Sequence, residues 1–142
     1  MATIVGPLTD TFRAAQRGPH PESVAVSTVN LGTSQTANED STNTADRGNL
    51  TSGGFLRLVT TVGSTPTITV NIRGSINGTD FYNIPYALVA TPSTFVITAI
   101  TITTAVTNLY LLQSAQAWKY IKLVYSANTN VTITADVWFP AV

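Results

Sequence analysis

The chain reads as an all-β protein: an antiparallel β-sandwich, jelly-roll or immunoglobulin-like, preceded by an extended N-terminal arm. Three observations carry that expectation. Residues 67–73 alternate strictly, with Ile68, Val70 and Ile72 on one side and Thr67, Thr69, Asn71 and Arg73 on the other, the period of a half-buried strand. Similar short runs recur from Phe55 onward, separated by clusters of Gly, Asn, Pro and Ser. Through the same region no stretch makes a convincing helix.

The arm comes first. Residues 9–18 can form one or two helical turns, with Asp10 as N-cap and Gly18 as the stop, before Pro19, His20 and Pro21 interrupt regular structure. Residues 23–31 hold a weak alternation, Val24 and Val26 with Val29 out of phase, that offers an edge strand. Residues 32–54 are almost wholly Ser, Thr, Asn, Gly, Ala and charged residues. Such a run cannot bury enough surface to offset its own ordering entropy. The expected division is therefore an arm over residues 1–50 and a sandwich over residues 51–142.

Within the sandwich, residues 55–62 place Leu56, Leu58 and Val62 on one face, and Gly63, Ser64, Thr65 and Pro66 turn the chain into a central hairpin. Its strand ends at Gly74-Ser75-Ile76-Asn77-Gly78, where Asn-Gly tolerates positive φ, and returns through Phe81, Tyr82 and Ile84 to Pro85. Residues 94–104 form a β-branched run of ambiguous phase, which predicts burial on both faces or a bulge near Ala99. Residues 108–113 are short and apolar. Residues 118–125 turn Ile121 and Leu123 inward, with Lys119 at the rim and Trp118 and Tyr120 opposite. After a turn over residues 126–130, Val131, Ile133, Ala135, Val137 and Phe139 face inward and Thr132, Thr134, Asp136 and Trp138 outward.

Composition narrows the function. The length of 142 residues suits one domain, and the formal net charge of zero gives no bulk attraction to nucleic acid or an anionic membrane. Charged residues make up 10%, against about 25% in an average soluble domain, and threonine, about one residue in six, fills the gap. Apolar runs fall far short of the roughly 20 residues of a membrane span, and the N-terminus shows no secretory signal. With no cysteine, disulfides and thiolate chemistry drop out.

Catalytic groups are sparse. His20, the only histidine, lies between two prolines with no carboxylate or hydroxyl placed to make it a base. Asp80 caps a turn and Asp136 lies on an outward strand face, so no carboxylate pair is indicated, and an enzyme is not expected. Glu39, Asp40 and Asp46 lack the alternating spacing of a calcium loop, and residues 74–78 lack the Lys-Ser/Thr and following helix of a phosphate loop. No cofactor or metal is expected. Trp118, Tyr120 and Trp138 share the outward phase of their strands. They form either a stacking platform for a sugar or a surface covered by the arm or by another subunit.

The phrase from Ile68 through Arg73, Gly74-Ser75-Ile76-Asn77-Gly78 and Thr79-Asp80-Phe81-Tyr82 resembles a recurrent hairpin of small β-sandwich virion proteins of tailed bacteriophages. Trp118-Lys119-Tyr120-Ile121-Lys122-Leu123 and the Thr-rich last strand are similar to that group too, so the resemblance spans roughly residues 55–142. It implies a non-enzymatic structural protein, a capsid decoration (cement) subunit made in the host cytoplasm and carried on the capsid surface. Its implied partner is the major capsid protein lattice, not nucleic acid or membrane. A carbohydrate- or receptor-binding module is the alternative.

A surface so poor in charge favours association, and a homotrimer on a three-fold capsid site is expected. The arm carries three basic and five acidic residues, a net of 3 − 5 = −2, and residues 51–142 carry four and two, a net of 4 − 2 = +2. The arm is expected to reach a neighbouring subunit or the underlying shell, with Ile4, Val5, Leu8 and Phe12 as anchors.

Overall fold

Two long strands carry the fold. The computed structural model describes residues 26–48, 54–113 and 118–140, in which β3 (Gly54–Ser75) and β8 (Tyr120–Pro140) run antiparallel along most of their length. β1 (Val26–Gln35) pairs with the second half of β8. β7 (Thr107–Leu112) pairs with the first half of β3, and β5 (Tyr86–Leu88) adds to β7, giving the order β1-β8-β3-β7-β5. On the other half of the ribbon β2 (Ala45–Asp46) pairs with β8, while β4 (Tyr82–Asn83) and β6 (Ile100–Ile102) pair with β3. All eight strands belong to one antiparallel sheet, with no helix among the described residues, so the all-β class holds.

Alternation sets the inner face in both halves of the ribbon. Leu56 and Leu58 are buried in the first half of β3, and Ile68, Val70 and Ile72 in the second. In β8 the buried positions are Ile121, Leu123 and Tyr125, then Val131, Ile133, Ala135, Val137 and Phe139. All of these join one core. A ribbon whose two halves feed the same core folds across itself, and its halves become the two layers of the sandwich.

The bend corrects two expected turns. Residues 63–66 and 126–130 do not reverse the chain; both lie inside continuous strands. The β3–β8 register slips between Val62 and Thr67, and Thr65, Ala127 and Asn130 take φ of 43°, 52° and 54°. Residues that would make a turn here make bulges, which bend a strand without ending it. Asn130 Nδ2 donates to the Ser64 carbonyl at 2.6 Å, tying one bend to the other. Val62, grouped in sequence with Leu56 and Leu58, falls at this bend and is exposed.

The hairpin after β3 forms as expected, by a different division of labour. Only Gly78 of the Asn-Gly pair has positive φ, at 81°. Asn77 acts through its side chain, whose Oδ1 accepts from the Thr79 and Asp80 N–H groups at 2.9 Å each. The β-branched run 94–104 yields only the short β6, in which Ile100 and Ile102 are buried, while Val96 and Ile97 are exposed. Strand propensity there exceeds the sheet edge available to pair with it.

Residues 26–48 fall within the expected arm but are bound into the sheet: β1 contains the edge strand offered by residues 23–31, and the polar residues after it, assigned to the arm from composition, dock as well. Leu31 and Ala45 lie in the core. The segment crosses from one layer to the other: the Asn43 N–H donates to the Leu31 carbonyl at 2.8 Å, and the Ser41 N–H to that of Leu123 at 2.8 Å. Further on, the Arg47 N–H donates to the Lys119 carbonyl at 2.7 Å. Polar side chains contribute as ligands to backbone groups; the Ser41 hydroxyl accepts from the Leu123 N–H at 3.0 Å. The boundary drawn at residue 50 thus cuts through the sheet, because a composition too polar to fold alone is ordered by docking on β8. The helical turns expected over residues 9–18 lie outside the described residues.

Candidate interaction surface

The sandwich has two unlike flanks. One is made by β1, β2 and the segment between them, and it is where charge collects. Lys122 Nζ pairs with Asp40 at 2.7 Å and lies 4.2 Å from the Phe81 ring centroid. Lys119 Nζ pairs with Asp46 and lies 5.1 Å from the Tyr120 ring centroid. The hydrogen bond from Lys119, and then the Gly48 N–H, hold the Asp46 carboxyl below its ordinary range, and the same bond raises Lys119. The weak charge complementarity of the two halves of the sequence is, at these residues, satisfied inside one molecule.

Arg47 closes this end of the sandwich. It is buried, with its Nε donating to the Trp118 carbonyl at 2.7 Å and its guanidinium 5.1 Å from the Phe139 ring centroid. Burial lowers its pKa from the usual arginine value, though the group stays charged. In the core, the Tyr125 hydroxyl has no hydrogen-bond partner among the described residues, and burial raises its pKa well above the ordinary value.

The three candidate aromatics do not share a platform. Trp118 is half-buried, packed against the core beside Gly74 and Ile84, with its ring centroid 6.4 Å from that of Tyr82. Tyr120 faces outward on the second layer, against Gly78 of the hairpin. Trp138 is outward on the first layer, opposite Phe55 and Thr28. The outward faces of two layers point apart, so strand phase, which groups these rings in the sequence, separates them in space. Ile4, Val5, Leu8 and Phe12 lie outside the described residues.

The opposite flank is built by β4 to β7 and contains no charged residue at all between Asp80 and Lys119. It exposes Leu88, Val89, Val96 and, at 55%, Ile97. Beside them an apolar groove of about 340 Å³ is lined by Tyr86, Leu88, Val96, Ile100 and Tyr110 among others. The Tyr86 and Tyr110 rings meet edge to face at 5.6 Å. Val96 exchanges backbone hydrogen bonds with Tyr86 at 2.9 Å, which covers the outer edge of β5. The groove therefore offers side chains, not open backbone, to a partner. These residues were not singled out by strand phase; the long interval without charge was the signal that could have found them. At the hairpin tip, Ile76 (76% exposed) and Tyr82 (60%) form a second, smaller apolar spot. Among the described residues no three His, Cys, Asp or Glu side chains gather closely enough to hold a metal ion.

Comparison with known proteins bears on the fold. No family model matches the chain, and no curated protein matches it. Among solved structures it is similar to the crystal structure of SPBc2 prophage-derived protein YomS. That match has a TM-score of 0.55 and 12% sequence identity, over 81% of this chain and 94% of that one. At this identity the likeness establishes the shared fold.

Proposed function

We propose that this chain is a non-enzymatic bacteriophage virion protein, a capsid decoration subunit that binds the outer head lattice. The observation that carries the reading is the charge-free flank with its exposed Leu88, Val89, Val96 and Ile97. An isolated sandwich keeps charges near its edges to prevent association, and a flank without them fits one covered by protein. The fold likeness to a prophage-derived protein and the resemblance of the central hairpin to tailed-phage virion proteins support the same source. Assembly as a trimer, with the N-terminal segment adding contact to a neighbouring subunit or the shell, belongs to this proposal. Purified virions carrying the protein in fixed stoichiometry, located by electron microscopy on the head, are the expected result. Particles that lack it, or carry it on the tail, would overturn the decoration role.

A glycan-binding module is the second reading, favoured by the exposed Tyr82 against Trp118 at the hairpin end. Binding on a glycan array that is lost in Tyr82→Ala would select it over lattice binding.

A further inference from the structure

Asn77-Gly78 is the only Asn-Gly pair in the chain, and such a pair is chemically self-reactive. With no Cβ on the second residue to hinder it, the Gly78 nitrogen can reach the side-chain carbon of Asn77. The Gly78 N–H first gives its proton to hydroxide or a buffer base. A bond then forms from Gly78 N to Asn77 Cγ, the Cγ–Nδ2 bond breaks, and Nδ2 leaves as ammonia after taking a proton from water. Water opens the resulting cyclic imide at either carbonyl, which leaves aspartate or an isoaspartyl link at position 77.

The folded turn engages both reacting groups. The Gly78 N–H donates to Ser75 Oγ at 2.9 Å, which holds the proton that must leave. Asn77 Oδ1 accepts from the Thr79 and Asp80 N–H groups at 2.9 Å each and from the Ser75 hydroxyl at 3.1 Å. On the other side, Asn77 Nδ2 donates to Asp80 Oδ2 at 2.8 Å. Forming the imide brings Gly78 N onto Cγ and pulls Oδ1 and Nδ2 out of place, so these bonds break together. Ser75 is fully buried at the end of β3, so its hydroxyl serves the turn and not the solvent. Asn77 and Gly78 themselves are exposed, within reach of water and base once the turn opens.

We propose that Asn77 is a site of spontaneous covalent modification, deamidation through Gly78, which Ser75 and the closed turn hold off and which opening of the hairpin releases. Refolding does not reverse the change. An aspartate at position 77 has no N–H for Asp80 and sets a second carboxylate against it, while an isoaspartyl link puts an extra carbon into the main chain of a tight turn. The site needs neither a capsid nor a glycan.

Purified full-length protein and its variants are incubated at mildly alkaline pH, and peptide mass spectrometry follows the amide-to-acid mass gain at Asn77. Unfolded in guanidinium chloride, the parent should convert there at least about tenfold faster than when folded, as several hydrogen bonds are lost. Folded Ser75→Ala, which removes two of them, should convert at least about fivefold faster than the folded parent. Asp80→Ala, at an exposed position whose replacement spares the core, should also convert faster. Ile133→Val, in the core and paired with Thr60 far from the turn, should keep the parent's rate, which separates release of the turn from general loosening. A folded parent that converts as fast as the unfolded chain would overturn the proposal. So would Ser75→Ala and Asp80→Ala at the parent's rate, or Ile133→Val accelerated as much as they are.

Discussion

The Arg47 guanidinium lies 5.1 Å from the centroid of the Phe139 ring while its Nε donates to the Trp118 carbonyl at 2.7 Å, so one side chain joins the residues just before β8 to the far end of that strand. Replacing it by alanine takes this charged donor away from the part-buried Trp118 carbonyl. Arg47→Ala is expected to lower stability by about 1.5–3 kcal/mol, the range for hydrogen bonds to charged groups. Arg47→Lys should recover little, because an ammonium cannot reproduce the planar stacking and the Nε donor. Urea unfolding of the three proteins measures this; a lysine variant as stable as the parent would show that charge alone matters.

Gly74 has no room for a side chain. A Cβ there would stand 2.7 Å from Trp118 Cγ and 2.8 Å from Ile84 Cγ2. Gly74→Ala is expected to cost about 1–3 kcal/mol by overpacking and to change the near-ultraviolet signal of Trp118. An unchanged spectrum and midpoint would mean that Trp118 does not pack as described.

The Asp46–Lys119 pair gives a pH test. Because the Asp46 pKa is lowered in the folded state, its contribution is present above the unfolded value and disappears as pH falls through the folded one. Lys119, raised on folding, contributes below its unfolded value and loses that contribution as pH rises through the folded one. Asp46→Asn should therefore leave the parent's midpoint little changed at neutral pH, as for an exposed pair, and should flatten the fall in stability on acidification. Urea midpoints from about pH 2 to about pH 6 check the acid limb. Parallel curves for the two proteins would show that other carboxylates set it.

Truncation separates the N-terminal segment from the sheet. Removal of residues 1–24 should leave the β spectrum intact. Removal of residues 1–50 should abolish cooperative unfolding, since it takes away β1, β2 and the buried Leu31 and Ala45. Circular dichroism melts of both variants decide this. A cooperative melt for the shorter chain would mean that residues 26–48 only decorate the sandwich.

Legibility in the sequence followed the reach of the interaction. Alternation alone placed Ile121, Leu123, Ile133 and Val137 inside, because a strand with one buried face leaves that mark locally. Bends and turns use the same residues, so Gly63 to Pro66 and Ser126 to Asn130 read as reversals although the strands pass through. The docking of residues 36–48 was hidden for a different reason. Ser41, Asn43 and Arg47 satisfy backbone groups of β1, β8 and the residues just before it, distant partners that composition does not reveal. The charge-free flank was written openly in the sequence, but it concerns an absence spread over four strands, which a search for motifs passes over.

The place of β8 in the sheet also sets when the protein can begin to exist. The last described strand lies between β1 and β3, so two strands made early have no direct partner in each other until it arrives. Phe55 and Leu56 pair with Leu111 and Tyr110 on one side, but on the other they wait for Trp138 and Val137, pairings of long sequence separation that slow folding. During synthesis β3 can meet β4, β6 and β7 before β8 is made, whereas β1 and β2 have no strand to pair with until β8 emerges. β1, one of the strands left waiting, is rich in Ser, Thr, Asn and Gln, whose side chains can hydrogen-bond water until its partner is made.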